Sequence, residues 1–268
     1  LHKEYRRQRQ MCIRDSADMV LAHVVEGLVA YGDDLKIKPV LAESWQVSDD
    51  GKVYEFKLRP KVHFQNGSVL TADTVVWNFK RYLDPKTNFQ CVNRYNGKIG
   101  PALQDVQAVD PLTVRFTFSA PAPNFPMTMA TVQCTPWILH PDSLKADGSF
   151  NAPIGTGPYA FGGMMQGRQL DLKRFADYDA LPGARDGYAG NKTATIPVLR
   201  FMTVPDASTR SNGLLSGDLD VVDGIEPATM ETLRGQGIPV QVQQTPSWLV
   251  MQVQTNAPAL QDLSLIHI

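Results

Sequence analysis

Residues 41–75 read LAESWQVSDDGKVYEFKLRPKVHFQNGSVLTADTV, and this stretch decides the local architecture. Between Val53 and Leu58 the chain alternates, with Tyr54, Phe56 and Leu58 on one side and Val53, Glu55 and Lys57 on the other. A period of two predicts a strand with one buried face. Asp49-Asp50-Gly51 turns the chain into that strand, and a second short strand over 62–64 ends at Asn66-Gly67. Thr71 is then placed as an N-cap, Asp73 in the first turn, and Val75, Val76, Phe79 and Leu83 as an apolar helical stripe. Asp84-Pro85 stops that helix, because proline lacks the amide and restricts the residue before it.

Upstream, Met19, Val20, Val24 and Leu28 fall at helical spacing and predict a short buried helix over 17–28, followed by a turn at Gly32-Asp33-Asp34. Downstream, 106–109 and 113–118 read as a hairpin around Asp110-Pro111, 120–126 as irregular and 141–147 as a short helix or turn. Gly155-Thr156-Gly157-Pro158 is a tight turn feeding a strand over 159–162, with a further strand at 170–174 and a polar loop at 178–193. A strand over 198–203 precedes a helix over 207–216, opened by Pro205-Asp206 and closed by Gly217. A strand at 219–222, a helix at 227–234 and strands at 240–243 and 248–254 complete the series. Such alternation predicts an α/β core with a mostly parallel or mixed sheet, and the hairpin-rich middle reads as a β-rich insertion.

The composition is that of a globular chain: 268 residues, 43% hydrophobic and 20% charged, with 26 basic and 27 acidic groups. Disorder, collagen-like repeats and a disulfide-dense mini-protein are excluded. No apolar run approaches the roughly 20 residues of a membrane-spanning helix. A formal charge of −1 gives no electrostatic reason to expect a nucleic-acid partner.

The two ends read differently from the rest. Met-Cys-Ile-Arg-Asp-Ser at 11–16 back-translates to ATG TGT ATA AGA GAC AG, whose reverse complement, CTG TCT CTT ATA CAC AT, encodes the Leu-Ser-Leu-Ile-His and opening Ile of 263–268. Two peptides encoded by opposite strands of one string resemble a translated sequencing-library adapter, so 1–16 and 263–268 are set aside from fold reasoning. The alternative is a basic N-terminal arm, Lys3, Arg6, Arg7 and Arg9. Without these ends the chain carries a net charge of −4 and loses Cys12, leaving Cys91 and Cys134.

Catalytic motifs are lacking. His23, His63 and His140 show no metal-ligand spacing, and there is no Gly-x-Ser-x-Gly elbow or Walker-type phosphate loop. Gly155-x-Gly157 is too short for a dinucleotide fingerprint, and Pro158 removes an amide a phosphate would need. His140-Pro141-Asp142 reads as a turn. The expectation is a binding protein and not an enzyme, with no cofactor and no metal site.

The blocks LAESW at 41–45, SDDGKVYEFKLR at 48–59, VHF at 62–64, NG at 66–67 and LTADTV at 70–75 together resemble the peptide-type solute-binding proteins of bacterial ABC importers, the oligopeptide-, dipeptide- and nickel-binding group. PIGTGPY at 153–159 resembles that family's turn-and-strand element, and PDA at 205–207 with SGDLD at 216–220 resembles its helix and strand entry. The resemblance implies an α/β lobe of the type II periplasmic-binding-protein kind: 17–38 and 154–262 as its core, 39–153 as an inserted subdomain, and a signal peptide, first strand and second lobe outside this stretch. It also implies a monomeric periplasmic or cell-surface protein that takes peptides or similar small molecules to an ABC permease complex in the inner membrane. Glutathione, an opine, nickel or an oligosaccharide are the alternative ligands, and the ectodomain of a sensor is the alternative role.

Within that resemblance, Glu26-Gly27-Leu28 matches the loop at the cleft edge of the first lobe. Gly27 permits close backbone approach. Glu26 has two readings, a carboxylate for a ligand ammonium or guanidinium, or an ordinary helix-end carboxylate. Tyr95 has two as well, a ring beside the ligand or a packed loop tyrosine. Trp248 and Gln252, four apart on one strand, share a face, with Trp248 either stacking on ligand or packing in the core. Trp45, Trp77 and Trp137 are read as packing. Export to an oxidising compartment makes a Cys91–Cys134 disulfide chemically reasonable, against two separate buried thiols.

Overall fold

A computed structural model describes residues 19–242; both adapter-like ends, Trp248, Gln252 and the strand expected at 248–254 lie outside them. The described chain divides into two compact units after Thr203.

The first unit is organised by β4 (Val53–Leu58), which pairs on both sides in a four-stranded antiparallel sheet. Its neighbours are β3 (Ala42–Val47) and β6 (Thr113–Phe118), with β5 (Leu103–Asp110) at the far edge. The alternation reads out as expected. Tyr54, Phe56 and Leu58 are buried, and Val114, Phe116 and Phe118 continue the same apolar layer from β6. Thr71 caps α1 (Ala72–Leu83) by accepting from Thr74 N at 3.4 Å, and the helix ends at Asp84. α1 packs on β5 and β6, bringing the rings of Phe79 and Phe116 to 4.8 Å. A polar residue holds this helix to the chain beyond it: Asn78, fully buried, donates to Leu139 O at 2.8 Å and accepts from Leu139 N at 3.1 Å.

Several expectations change. The hairpin is longer than its apolar cores, because Asp110 and Leu103 extend the pairing through bulges. The strand expected at 62–64 is a single bridge, His63 to Val69. Part of the segment read as irregular is α2 (Phe125–Ala130), with Pro126 in the first turn, where its missing amide costs nothing. Upstream, helical backbone stops after residue 21, and Glu26 instead bridges Ile138, so Leu28 does not lie on a helix. The chain then forms the short pair β1 (Val29–Tyr31) and β2 (Ile37–Pro39). Cys91 and Cys134 are joined as a disulfide with Cα atoms 5.5 Å apart.

A second sheet, β7 (Tyr159–Met165), β8 (Gln169–Arg174) and β11 (Val198–Met202), is also antiparallel. Every ladder among the described residues is antiparallel, so the parallel or mixed sheet expected for the C-terminal half does not form there. β7 and β8 are joined by a tight reversal at 166–168 and not by a crossover helix, and a reversal of that length enforces antiparallel pairing. Within the loop read at 178–193 lies a small hairpin, β9 (Arg185–Asp186) and β10 (Ala189–Gly190).

The second unit contains α3 (Ala207–Ser216) and α4 (Pro227–Gly235). Gly217 closes α3 in the left-handed region at φ 80°. Residues 219–222 and 240–242 form no strand, and Val221 is 88% exposed: apolar side chains alone do not make a strand without a ladder partner.

Two outcomes are expected. Phe56→Ala removes a fully buried ring between Tyr54 and Phe116 and lowers the unfolding free energy by about 3–5 kcal/mol in urea titration. Asp206, the α3 cap, is held down at about 2 by donation from the Ser208 hydroxyl and from the Thr209 amide and hydroxyl. A depressed folded-state value stabilises above the unfolded value near 3.9 and is lost as pH falls through about 2. The stability gap between wild type and Asp206→Asn therefore closes between pH 5 and pH 2, followed by circular dichroism.

Candidate functional site

The candidate site begins with a backbone contact. Gly155 and Gly157 lie against the carbonyls of His23 and Val24: a Cβ on Gly157 would come within 2.6 Å of His23 O, and one on Gly155 would overlap Val24 O. Gln65 ties the same turn together. Its amide nitrogen donates to Val24 O and Tyr159 O, both at 2.8 Å, and its oxygen accepts from Gly155 N at 2.9 Å. The motif read as a turn is thus a close-packed seam, and Thr156 between the two glycines is carried under Glu26.

Glu26 is 2% exposed. Its Oε2 accepts from Thr156 Oγ1 at 2.9 Å, while Oε1 accepts from the Tyr178 hydroxyl at 3.1 Å and pairs with Lys192 Nζ at 2.6 Å. Neither sequence reading describes this arrangement: Glu26 is not at a helix end, and its negative charge already has an internal cation. Burial, and secondarily the Glu26 carboxylate, push the Tyr178 phenol far above its ordinary range, so it stays a donor.

Both partners come from the segment read only as a polar loop. Tyr178 is fixed by its neighbour. Asp179 Oδ2 accepts from His63 N at 2.8 Å and lies 2.9 Å from His63 Nδ1, and Asp179 O accepts from Arg59 Nη2 at 2.6 Å. Lys192 follows the β9–β10 hairpin, which is locked onto β1. Tyr188 N donates to Tyr31 O, and Gly187, at φ 58°, lies so close to that oxygen that a Cβ would come within 2.6 Å. Asp186 accepts from Asp33 N at 2.8 Å and pairs with Lys38 at 3.5 Å. No local sequence signal links these residues to Glu26, from which Tyr178 stands 152 positions away.

Glu26, Gly27 and Lys192 line a cavity of about 600 Å³ whose wall includes Val29, Ala130, Val132, Trp137 and Arg185. Its wall combines many apolar side chains with one acidic and two basic ones. A second hollow of about 490 Å³ lies by His63, Phe175 and Tyr178–Asp179.

The remaining candidates separate. Gly27 lines the larger cavity, with the Thr135 methyl 2.9 Å from where a Cβ would stand. Leu28 faces the main core and is buried. Tyr95, at 2% exposure, packs among Phe79, Phe89 and Phe125 and so is a core ring and not a ligand-facing one. Its burial raises its phenol value strongly. Trp137 joins the cavity wall, beyond the packing role expected of it. Among the described residues no group of three His, Cys, Asp or Glu side chains is placed to hold a metal ion.

Residues 36–265 match the family model described as bacterial extracellular solute-binding proteins, family 5 Middle. The glutathione-binding protein GsiB of Escherichia coli K12 is 29% identical over 233 residues, 86% of this chain and 42% of that protein. The nickel-binding periplasmic protein of the same strain is 31% identical over 206 residues, 76% of this chain and 36% of that protein. The solved structure of MoaA from A. tumefaciens R10 in complex with mannopinic acid superposes with a TM-score of 0.77 at 25% identity, covering 92% of this chain and 48% of that one. The chain belongs to this family of solute-binding proteins and shares its α/β fold. It spans less than half the length of these relatives.

Gly157→Ala forces the seam apart against backbone that cannot rotate away, and is expected to cost about 1–3 kcal/mol. A melting temperature equal to wild type would contradict the seam.

Proposed function

We propose, taking membership of family 5 as the premise, that this chain is part of the substrate-capturing component of an ABC importer, and that its ligands are peptides of the dipeptide or oligopeptide class. The observation that carries this reading is the cavity at Glu26, Gly27 and Lys192, large enough for a few residues of peptide and walled by both apolar and charged groups. In this reading 17–38 and 154–262 form one lobe, 39–153 is its inserted subdomain, and a second lobe closes over the cavity. The protein acts as a monomer, periplasmic or lipid-anchored at the cell surface, and hands its cargo to a permease complex in the inner membrane. Closure is ligand-driven only so far as the ligand binds the closed state better than the open one. Backbone hydrogen bonds and water in a roomy cleft supply affinity with loose side-chain specificity.

A second reading, capture of an opine, is favoured by the superposition on the mannopinic-acid complex. Both readings are tested together by thermal-shift titration of the full reading frame containing this chain with di- and tripeptides, glutathione, mannopinic acid and oligosaccharides. A ligand at a hundred times its Kd stabilises by about 2.7 kcal/mol, a shift well above error. Peptides are expected to raise the melting temperature. Stabilisation by mannopinic acid alone moves the assignment to opines, and stabilisation by a sugar alone removes both readings.

A further inference from the structure

We propose that Lys192 is the residue through which this lobe recognises its ligand, and that what it recognises is a carboxylate. The inference rests on the cavity being the ligand site, as argued above, and adds the chemistry the ligand must carry.

Charge decides the matter. Glu26, the one acidic side chain in the cavity wall, is buried and already neutralised by Lys192 at 2.6 Å. Thr156 and Tyr178 take two more of the carboxylate's roughly four acceptor sites. A ligand ammonium arriving there would meet the like charge of the Lys192 ammonium, or would have to displace it and leave that charge without its partner, which is costly. Lys192 is differently placed. Its side chain keeps 17% exposure, and Glu26 is its sole ion-pair or hydrogen-bond partner among the described residues. An ammonium has three N–H donors, so two remain for water or a ligand. Arg185 adds a second cation to the wall. With Glu26 and Lys192 cancelling, Arg185 is left as an uncompensated positive charge in the lining. Closure that expels water strengthens a charge-assisted bond from Lys192 to an entering carboxylate.

The test measures Kd on the full reading frame for four probes: glutathione, glutathione diethyl ester, trialanine and trialanine amide. Lys192→Met alone strands the Glu26 charge and is liable to misfold, so Glu26→Gln/Lys192→Met, which removes both charges together, is compared beside it. Each free acid is expected to bind wild type at least about tenfold more tightly than its ester or amide. That gap is expected to shrink to about twofold in the double variant. Equal binding of acid and amide overturns the inference and leaves the capture function standing. A gap that survives the double variant overturns it too, because the carboxylate is then held elsewhere. Tighter binding of any probe by Lys192→Met shows that Lys192 competes with a ligand cation, and likewise overturns it. Binding of none of the four overturns the peptide reading and this inference together.

Discussion

The structure around the candidate site depends on one steric constraint, the approach of the Gly155–Gly157 turn to the backbone of His23 and Val24. No side chain larger than hydrogen fits at either glycine, and Gln65 satisfies the polar groups the contact would otherwise strand. Through that seam a threonine hydroxyl reaches a carboxylate 130 residues away in sequence. Everything that follows at Glu26 requires this seam: the carboxylate is buried, so it must be bonded, and the bonds come from Thr156, Tyr178 and Lys192. Removing one member of such a buried pair costs more than the pair contributes, because the survivor is left charged and dry.

The fold was legible wherever a local rule and a tertiary demand agreed. Phe56 and its alternating neighbours had only one face to bury, Thr71 had a free amide to cap, and Pro85 had no amide to give. All three behave as their chemistry requires. Reading stopped where partners decided the outcome. Residues 219–222 have strand-like side chains and no strand beside them. Residues 17–28 have helical spacing, but the bridge from Glu26 to Ile138 takes the backbone first.

The site was legible only in part, and for a related reason. The Glu26-Gly27 pair could be found from family resemblance, but not that Glu26 would be spent internally, because Tyr178 and Lys192 lie in a polar loop with no periodicity. Tyr95 shows the converse. Its ring was as suited to a ligand as to a core, and the surrounding phenylalanines, not its own identity, settle which. Of the site residues named from the resemblance, Trp248 and Gln252 lie outside the described residues.

The disulfide has a bearing on the cavity. Cys134 stands between Val132 and Thr135, two residues that line it, and its partner Cys91 opens the short turn that ends at the buried Tyr95. One wall of the cavity is therefore stapled to the main body by a covalent bond, which limits how far that wall can move. Preorganisation of that kind favours binding without adding a single contact. It also ties the cavity's readiness to the oxidising state of the compartment in which the protein folds.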